Sequence, residues 1–298
     1  MTAERSLLVL GSANMDLVVN AARHPEPGET VFGDSFTTVP GGKGLNQAVA
    51  AARMGARVSF VGAVGRDLYG DRLIELLATA GIDTTAVLRS ELTTGTAHIT
   101  VDGRGRNSIV VVSGANTELT PAALAQLRPE PDGWLLTQLE VPLPTVVAAL
   151  AWCRRHRVRS MLTPAPVTAL SEEVLAQVDL LVPNEIEAAQ LAGAASPEEA
   201  ARWLSRRCGD VVVTLGADGS LWARAGRIVH HEPSRRVSPV DTTAAGDTFV
   251  GVLATRLAEG AELPEAMRWA SAAAAIGVTR AGASSSMPAR SEVVALLG

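Results

Sequence analysis

The segment DTTAAGDTF, Asp241–Phe249, places two aspartates on either side of a run of very small residues. Ala244, Ala245 and Gly246 lead directly into a stretch with the apolar pattern of a helix. Unpaired N–H groups at the start of a helix attract anions, and missing side chains let a phosphate approach closely. The second aspartate, Asp247, is open to two interpretations: a helix cap, or a base that takes the proton of an attacking hydroxyl.

A glycine-rich loop with a lysine opens a second helical stretch, PGGKGLNQAVAAARMG, Pro40–Gly55. The P-loop pattern GxxxxGK[ST] is absent from it. The backbone at Gly42 could approach a ligand closely, and Lys43 and Asn46 could then donate hydrogen bonds to that ligand. A glycine-rich loop that merely carries a solvated lysine explains the same residues.

Polar residues also follow the first apolar strand, in GSANMDLV. Asn14 and Asp16 lie at a strand end, which is where open parallel sheets bind their ligands. Because they are two positions apart, their side chains can lie on the same face of the strand and hydrogen-bond the vicinal hydroxyls of a ligand. A local turn stabilised by the asparagine side chain is the alternative.

Two later segments carry weaker signals of a nucleotide or phosphate site. In PNEIEAAQL, Asn184 and Glu187 have the spacing of a capping box, and the same pair could organise phosphate oxygens and Mg²⁺-bound water. In TLGADGS, Thr214–Ser220, two glycines after a strand could admit an adenine or a phosphate, or could form a hairpin turn. From the residues alone, the structural interpretation is at least as good in both segments.

These segments need a scaffold that brings them together. Apolar, strand-like runs such as LLVLG and VSFVGAVG alternate with helical patterns along most of the chain. This rhythm predicts a three-layer, doubly wound α/β fold with a mostly parallel sheet. Two stretches, at about 17–40 and 86–112, contain strands and turns with no helix between them. We expect them to form a small β-sheet lid, inserted in a single domain that spans 1–298.

Composition and charge exclude several classes of function. The chain has 298 residues, 47% of them hydrophobic, and a net charge of -5 with no basic stripe, which argues against a nucleic-acid partner. No segment approaches the roughly 20 apolar residues of a membrane span. The N-terminus has the pattern of a first strand rather than a signal peptide, so we expect a cytoplasmic protein with no membrane partner. No GxGxxG follows the first strand, which argues against an NAD(P) dehydrogenase.

The order of the motifs is more specific than any one of them. GGKGLNQAVAAARMG, PNEIEA and DTTAAGDTF, in that order, resemble the signature segments of the ribokinase-like (phosphofructokinase B) sugar kinase family. The resemblance runs from Leu7 to about Leu297. Within the family, GSANMD, PEPGETV, SGAN and QLEVP are similar to segments of the members that act on D-ribose. The resemblance implies ATP-dependent transfer of the γ-phosphoryl group to the 5-hydroxyl of D-ribose.

The resemblance also implies roles for individual residues. Asp247 would be the catalytic base, beside an anion hole formed by the backbone of Ala244, Ala245 and Gly246. The implied sugar-binding residues are Asn14, Asp16, Gly42, Lys43, Asn46, Glu140 and Asp247. The implied nucleotide-binding residues are Asn184, Glu187, Thr214, Gly216 and Gly246, with Glu187 tied to Mg²⁺. The implied ligands of an activating monovalent cation, K⁺, are Asp241, Thr243, Gly277, Arg280, Gly282 and Ser286, mostly through backbone carbonyls.

Two details depart from the family pattern. Thr163 stands where the D-ribose kinases more often carry asparagine, and SSSMP replaces a Pro-Ser pair, so Ser286 is assigned by position alone. A kinase of the same family that acts on 2-deoxyribose, fructose or a nucleoside is therefore the first alternative. A regulator that binds sugar or nucleotide without catalysis is the second, and the intact Asp247 argues against it.

The expected lid also bears on assembly. Its amphipathic strands would leave exposed sheet edges if the lid stood alone. Pairing two lids across a twofold axis would cover those edges. We therefore expect a homodimer formed through the lid strands, with a sugar and ATP as the small-molecule partners.

Overall fold

The computed structural model describes residues 6–298, which form two β-sheets and a set of surrounding helices. In chain order the strands are β1 (Ser6–Leu10), β2 (Asn14–Ala21), β3 (Gly33–Gly41), β4 (Arg57–Gly65), β5 (Val87–Ser90), β6 (Gly95–Val101), β7 (Asn107–Val112), β8 (Trp134–Gln138), β9 (Arg159–Thr163), β10 (Leu180–Leu181), β11 (Asp210–Thr214), β12 (Ser220–Arg224) and β13 (Arg227–Glu232). The α-helices are α1 (Lys43–Arg53), α2 (Leu68–Thr79), α3 (Leu143–His156), α4 (Glu172–Leu175), α5 (Glu185–Ala192), α6 (Pro197–Leu204), α7 (Ala245–Ala258), α8 (Leu263–Gly277) and α9 (Arg290–Leu297).

The larger sheet has nine strands in the order β13-β12-β11-β10-β9-β8-β1-β4-β5. Neighbours from β11 to β5 pair in parallel, and β12 and β13 add an antiparallel edge. The central strand β1 is buried along its whole length. Its side chains alternate between two cores, Leu7 and Val9 in one and Leu8 and Leu10 in the other, as the two-residue period of a strand requires.

Helices cover both faces of this sheet. One core packs residues of α1, α2, α7, α8 and α9 against it, and the other packs residues of α3, α5 and α6. The predicted three-layer, doubly wound, mostly parallel architecture is thereby confirmed. Across residues 6–298, no helix combines the length and the apolar character that crossing a bilayer requires.

The second sheet is the lid, with four strands in the order β3-β2-β6-β7. Its bounds differ from the expected ones at about 17–40 and 86–112. The first pair of lid strands begins earlier, because β2 starts at Asn14 directly after the β1 turn. Val87–Ser90, expected in the lid, instead pairs in parallel with β4 at the edge of the large sheet. A short strand carries no sequence signal of which of two nearby sheets it joins, so this pairing had to come from the tertiary structure.

Two helices that begin at the same edge of the large sheet pack closely against each other. A Cβ on Gly251 of α7 would lie 2.5 Å from the backbone oxygen of Gln47 and 2.7 Å from the Cβ of Ala50, both on α1. Only a glycine allows this approach, since real Cβ contacts are never that short. The close packing sets the start of α7 beside the first turns of α1, where the candidate functional residues lie.

Candidate functional site

The start of α7 presents backbone N–H groups to open space. Ala244 precedes the helix with φ +57°, and no side chain caps the helix end. The Ala245 N–H donates to the oxygen of Thr242 at 3.2 Å, whereas the N–H groups of Gly246 and Asp247 have no acceptor among residues 6–298. A Cβ added to Gly246 would meet nothing within 4 Å. The free donors and the helix dipole make this end suited to an anion.

Asp247 lies in the first turn of α7, buried and held by two amides from α1. Its Oδ2 accepts from Asn46 Nδ2 at 3.1 Å, and its Oδ1 accepts from Gln47 Nε2 at 3.0 Å. Burial raises the pKa of Asp247 to about 6, against the lowering effects of the Lys43 cation and the two amide hydrogen bonds. The carboxyl group is therefore mostly ionised at neutral pH, and its pKa is close enough to neutrality for proton transfer.

Lys43 is the sole lysine in the sequence and lies among carboxylates. Burial opposes its charge, but Asp247, Glu140 and Glu187 outweigh burial and raise its pKa above the ordinary value. Its backbone N–H donates to Glu140 Oε2 at 3.0 Å, and the Ser12 hydroxyl donates to the same oxygen. The Lys43 ammonium thus offsets part of the negative charge of the surrounding carboxyl groups.

Asp16 on β2 belongs to the same cluster but is less fully ionised than Asp247 at neutral pH. Burial and, to a smaller extent, the carboxylates of Glu140 and Asp247 together raise its pKa to about 7. A Cβ on Gly41 would lie 2.4 Å from Asp16 Oδ2, so the glycine-rich loop approaches this carboxyl group as only a glycine can. At neutral pH Asp16 is partly protonated and can either donate or accept a hydrogen bond.

Asn14 is oriented by a residue that sequence reasoning left without a role. Asn116 Nδ2 donates to Asn14 Oδ1 at 2.8 Å and to the backbone oxygen of Ser113 at 3.0 Å. Asn116 Oδ1 accepts from the Ala13 N–H at 3.1 Å, so both ends of the Asn116 amide are fixed. With its oxygen engaged, Asn14 keeps its NH₂ group free to donate. The resemblance includes SGAN without implying a role for Asn116, and a contact across 102 positions has no local sequence signal.

Gly42 brings the α1 loop against the end of β1. It has φ +90°, and a Cβ there would lie 2.9 Å from the Asn14 N and 3.0 Å from the Ser12 oxygen. The structure thus brings together the expected sugar-binding residues around the first turn of α1. They are Asn14, Asp16, Gly42, Lys43, Asn46, Glu140 and Asp247.

Asn184 and Glu187 form the capping box that the residue pattern favoured. Asn184 Oδ1 accepts from the Glu187 N–H at 2.8 Å, and a Glu187 carboxylate oxygen accepts from the Asn184 N–H at 2.8 Å. Burial raises the pKa of Glu187, against the Asn184 N–H and the Lys43 cation. Asn184 also bridges to Thr214 at the end of β11. Gly216 follows with φ +55° and open space where a Cβ would be, so this edge leaves room for a ligand.

Asp241 joins two loops next to the start of α7. Its Oδ1 accepts from the Thr243 N–H at 2.9 Å, and its Oδ2 accepts from the Gly282 N–H at 2.8 Å. Burial would raise the pKa of Asp241, but the hydrogen bonds from Thr243 and Gly282 outweigh burial and lower it. An ionised carboxylate that lies between two loops is a group that could attract a monovalent cation. Within residues 6–298, no three acidic, histidine or cysteine side chains converge as a protein cage for a divalent metal would require.

The remaining residues of the expected cation site lie in the segment after α8. The Gly277 oxygen ends that helix and accepts from the Arg280 N–H at 3.0 Å. The Arg280 guanidinium pairs with Glu292 on α9, so only the Arg280 backbone is available for a cation. The Ser286 hydroxyl is buried and donates to the Ala283 oxygen at 2.8 Å. Asp241 is therefore the one charged side chain that this group could offer.

Comparisons of the sequence and of the structure with known proteins indicate the same family of kinases. The sequence model of the pfkB family carbohydrate kinases matches residues 4–290. A ribokinase of Bacillus subtilis (strain 168) is 43% identical over 300 residues, with 98% of this chain and 99% of the relative covered. The structure of a Thermotoga maritima ribokinase has a TM-score of 0.89 at 38% identity, covering 98% and 99% of the two chains. An Arabidopsis thaliana ribokinase complexed with ribose and ATP has a TM-score of 0.89 at 31% identity, covering 98% of both.

Replacing Lys43 with methionine should raise the pKa of Asp247 above about 6. The Lys43 cation is the largest single influence opposing burial at this carboxyl group, so its loss leaves burial less opposed. The measurement is a pH titration of the Asp247 carboxyl carbon by NMR. Arg66→Met, which removes an exposed cation paired with Glu91, is the control and should leave the titration unchanged. An unchanged Asp247 titration in Lys43→Met would contradict the electrostatic description of the cluster.

Proposed function

The chain belongs to the pfkB family of carbohydrate kinases, and on that basis we propose that it transfers the γ-phosphoryl group of ATP to the 5-hydroxyl of D-ribose. One observation carries the proposal. A buried carboxylate with a pKa near neutrality, Asp247, stands in the first turn of a helix whose free N–H groups face open space. A proton acceptor and an anion site side by side are what phosphoryl transfer to an alcohol requires.

In the proposed reaction Asp247 accepts the proton of the 5-hydroxyl. The hydroxyl oxygen then bonds to the γ-phosphorus as the bond between that phosphorus and ADP breaks. The free N–H groups of Gly246 and Asp247 and the Lys43 ammonium stabilise the negative charge that spreads over the transferred group. No covalent intermediate with the protein is needed, so positioning and charge neutralisation supply the catalysis.

The sugar would be held by groups of complementary character. Asn14 presents its NH₂ group as a donor, and the carboxyl groups of Glu140 and of partly protonated Asp16 offer acceptors and a further donor. Vicinal hydroxyls of a pentose can both donate and accept, which suits this mixture. A site that hydrogen-bonds a 2-hydroxyl through buried polar groups disfavours the 2-deoxy analogue, whose binding would leave those groups unpaired.

ATP would lie between Gly216 and the start of α7. One side of this site would be formed by Asn184 and Thr214, which a backbone bridge joins. The space for the nucleotide would be the open space next to Gly216 and Gly246. Glu187 is the acidic side chain there, and it fits an indirect role towards Mg²⁺ through water. Mg²⁺ bound to the phosphates would neutralise their charge and keep several of its waters.

Asp241 and the loop carbonyls around it would bind a monovalent cation, K⁺. Asp241 already joins the loop before α7 to the loop after α8 through Thr243 and Gly282. A cation held there would fix the segment that leads into Ala244 and so keep the anion site in shape. ATP and K⁺ are both abundant in the cytoplasm, where we propose that the enzyme works.

The lid supports a homodimer. Strand β7 lies at the edge of the lid sheet, and all its residues are exposed. Four of them, Ile109–Val112, are large and apolar, with Val110 64% exposed. A long, apolar edge strand invites pairing with another chain, and a second lid related by twofold symmetry would cover it.

A coupled assay of ADP release should detect turnover of ribose with ATP, Mg²⁺ and K⁺. With 2-deoxyribose, fructose and adenosine offered separately, we expect ribose to have the highest kcat/KM. Asp247→Asn should lower kcat by roughly 10²–10⁴-fold, because an amide cannot accept the proton. In the wild type, kcat/KM should fall to about half its maximum near pH 6 and fall further at lower pH, as the carboxylate that must be ionised becomes protonated.

Asp132→Asn is the matched control, since Asp132 is exposed and its φ of 65° is one that asparagine tolerates. Preference for another acceptor would keep the mechanism and overturn the substrate. ATP binding without turnover of any acceptor would favour a regulator that does not catalyse.

Turnover should be higher in K⁺ buffer than in Na⁺ buffer at equal ionic strength. Asp241→Asn should abolish most of that difference, because it removes the charge that attracts the cation. Arg280→Lys should preserve it, since the Arg280 side chain pairs with Glu292 rather than facing the site. Equal wild-type turnover in the two buffers would remove the cation from the proposal.

Analytical ultracentrifugation should give a mass twice that of the chain. Val110→Glu should shift the species to a monomer, because a charge would be buried in the paired lids. Val229→Glu, an exposed valine on the edge strand β13 of the large sheet, should leave the dimer intact. A monomeric wild type would show that the exposed lid strand has no such partner.

A further inference from the structure

A chain of buried amides runs from the large sheet to Asp247. Gln138, at the end of β8, donates through Nε2 to Gln47 Oε1 at 2.6 Å. Gln47, on α1, donates through Nε2 to Asp247 Oδ1 at 3.0 Å. Both glutamine side chains are fully buried. Three elements that are far apart in the sequence therefore meet in one hydrogen-bonded line.

The line has a fixed direction. An ionised carboxylate only accepts, so Gln47 must turn its NH₂ group towards Asp247 and its oxygen towards Gln138. Gln138 must then turn its NH₂ group towards Gln47. Its own oxygen is left buried with no hydrogen-bond partner among residues 6–298, as is the Asn46 oxygen. Buried polar atoms without partners are rare and costly, and here both lie on amides whose nitrogens point along the route to one carboxylate.

We propose that Gln47 and Gln138 are positioning residues for the catalytic base, a role that rests on the proposed function of Asp247. Asn46 and Gln47 occupy one lone pair on each Asp247 oxygen and so prevent the carboxylate from rotating. The remaining lone pairs then face the open side at the start of α7, where the acceptor hydroxyl would lie. Gln138 acts through Gln47, because without it the Gln47 amide is free to turn its oxygen towards the carboxylate.

The amides also help to keep the carboxylate ionised. Hydrogen bonds from Gln47 and Asn46 lower the pKa of Asp247, while burial raises it. Two charged groups face Asp247: Lys43 from α1 favours its ionised form, and Glu140 after β8 opposes it. Asp16 on β2 is also close, since the charge of Asp247 raises the pKa of Asp16. Both glutamines are neutral, so replacing them changes hydrogen bonding without changing charge.

The test replaces each glutamine with methionine, which has a similar shape and no donor. Gln47→Met should lower kcat by about tenfold or more, the order of a lost hydrogen bond to a charged group. It should also move the acid limb of the kcat/KM profile to higher pH, with little change in the KM for ATP. Gln138→Met should cause a smaller change in the same direction. Thr137→Val is the control: Thr137 neighbours Gln138 on β8, is buried, and has a hydroxyl with no hydrogen-bond partner in the described part of the chain.

NMR titration of the Asp247 carboxyl carbon in the same variants separates this proposal from the proposed reaction. The Asp247 pKa should rise in Gln47→Met and, less, in Gln138→Met, whether or not ribose is the acceptor. Thermal unfolding identifies a variant that fails to fold, and the more distant Gln138→Met then remains as the test. Lower stability with an unchanged Asp247 pKa and acid limb would overturn the proposal, since that is the result of a purely structural role.

Discussion

The structure depends on keeping one ionised carboxylate, Asp247, inside the protein. Burying a charge is costly unless it is paired and hydrogen-bonded. Here Lys43 supplies the opposite charge, and Asn46 and Gln47 supply the hydrogen bonds. All three lie within the first turns of α1, so the position of that helix relative to α7 decides whether the charge is tolerated.

That relative position follows from small side chains. Gly251 lets α7 approach the backbone of α1 at Gln47 and the small side chain of Ala50. The glycine-rich loop before α1 also allows a close backbone approach, because Gly41 lies against Asp16 and Gly42 lies against Asn14. The scarcity of aromatic residues, 3% of the chain, is thus consistent with a fold built on close backbone approach.

The sequence predicts the parts of this design that are local. Helix α1, helix α7, the capping box at Asn184 and the parallel sheet each follow from periodicity or from residues a few positions apart. The supports of the site do not, because Gln138 meets Gln47 across 91 positions and Asn116 meets Asn14 across 102. For the same reason Val87–Ser90 was expected in the lid, although it joins the large sheet. The family resemblance implies roles for residues that would contact ligands, but it implies none for the residues that support them, such as Gln47, Asn116 and Gln138.

Two carboxyl groups of the same cluster lie in different hydrogen-bonding environments, and this suits them to the different roles proposed for them. Asp16, with a pKa of about 7, lies beside two carboxylates and receives no amide hydrogen bond from residues 6–298, so it exists in both protonation states near neutrality. Asp247, with a pKa of about 6, is more deeply buried, yet Lys43 and two amides keep it mostly ionised. A group that must accept a proton from an alcohol needs the environment of Asp247, which favours the ionised form. A group that must hydrogen-bond the varied hydroxyls of a sugar is better served by the environment of Asp16, which allows both protonation states. The same acidic side chain thus suits the proposed base on α7 and the proposed sugar-binding group on β2, and the difference comes from the neighbours that α1 brings to each.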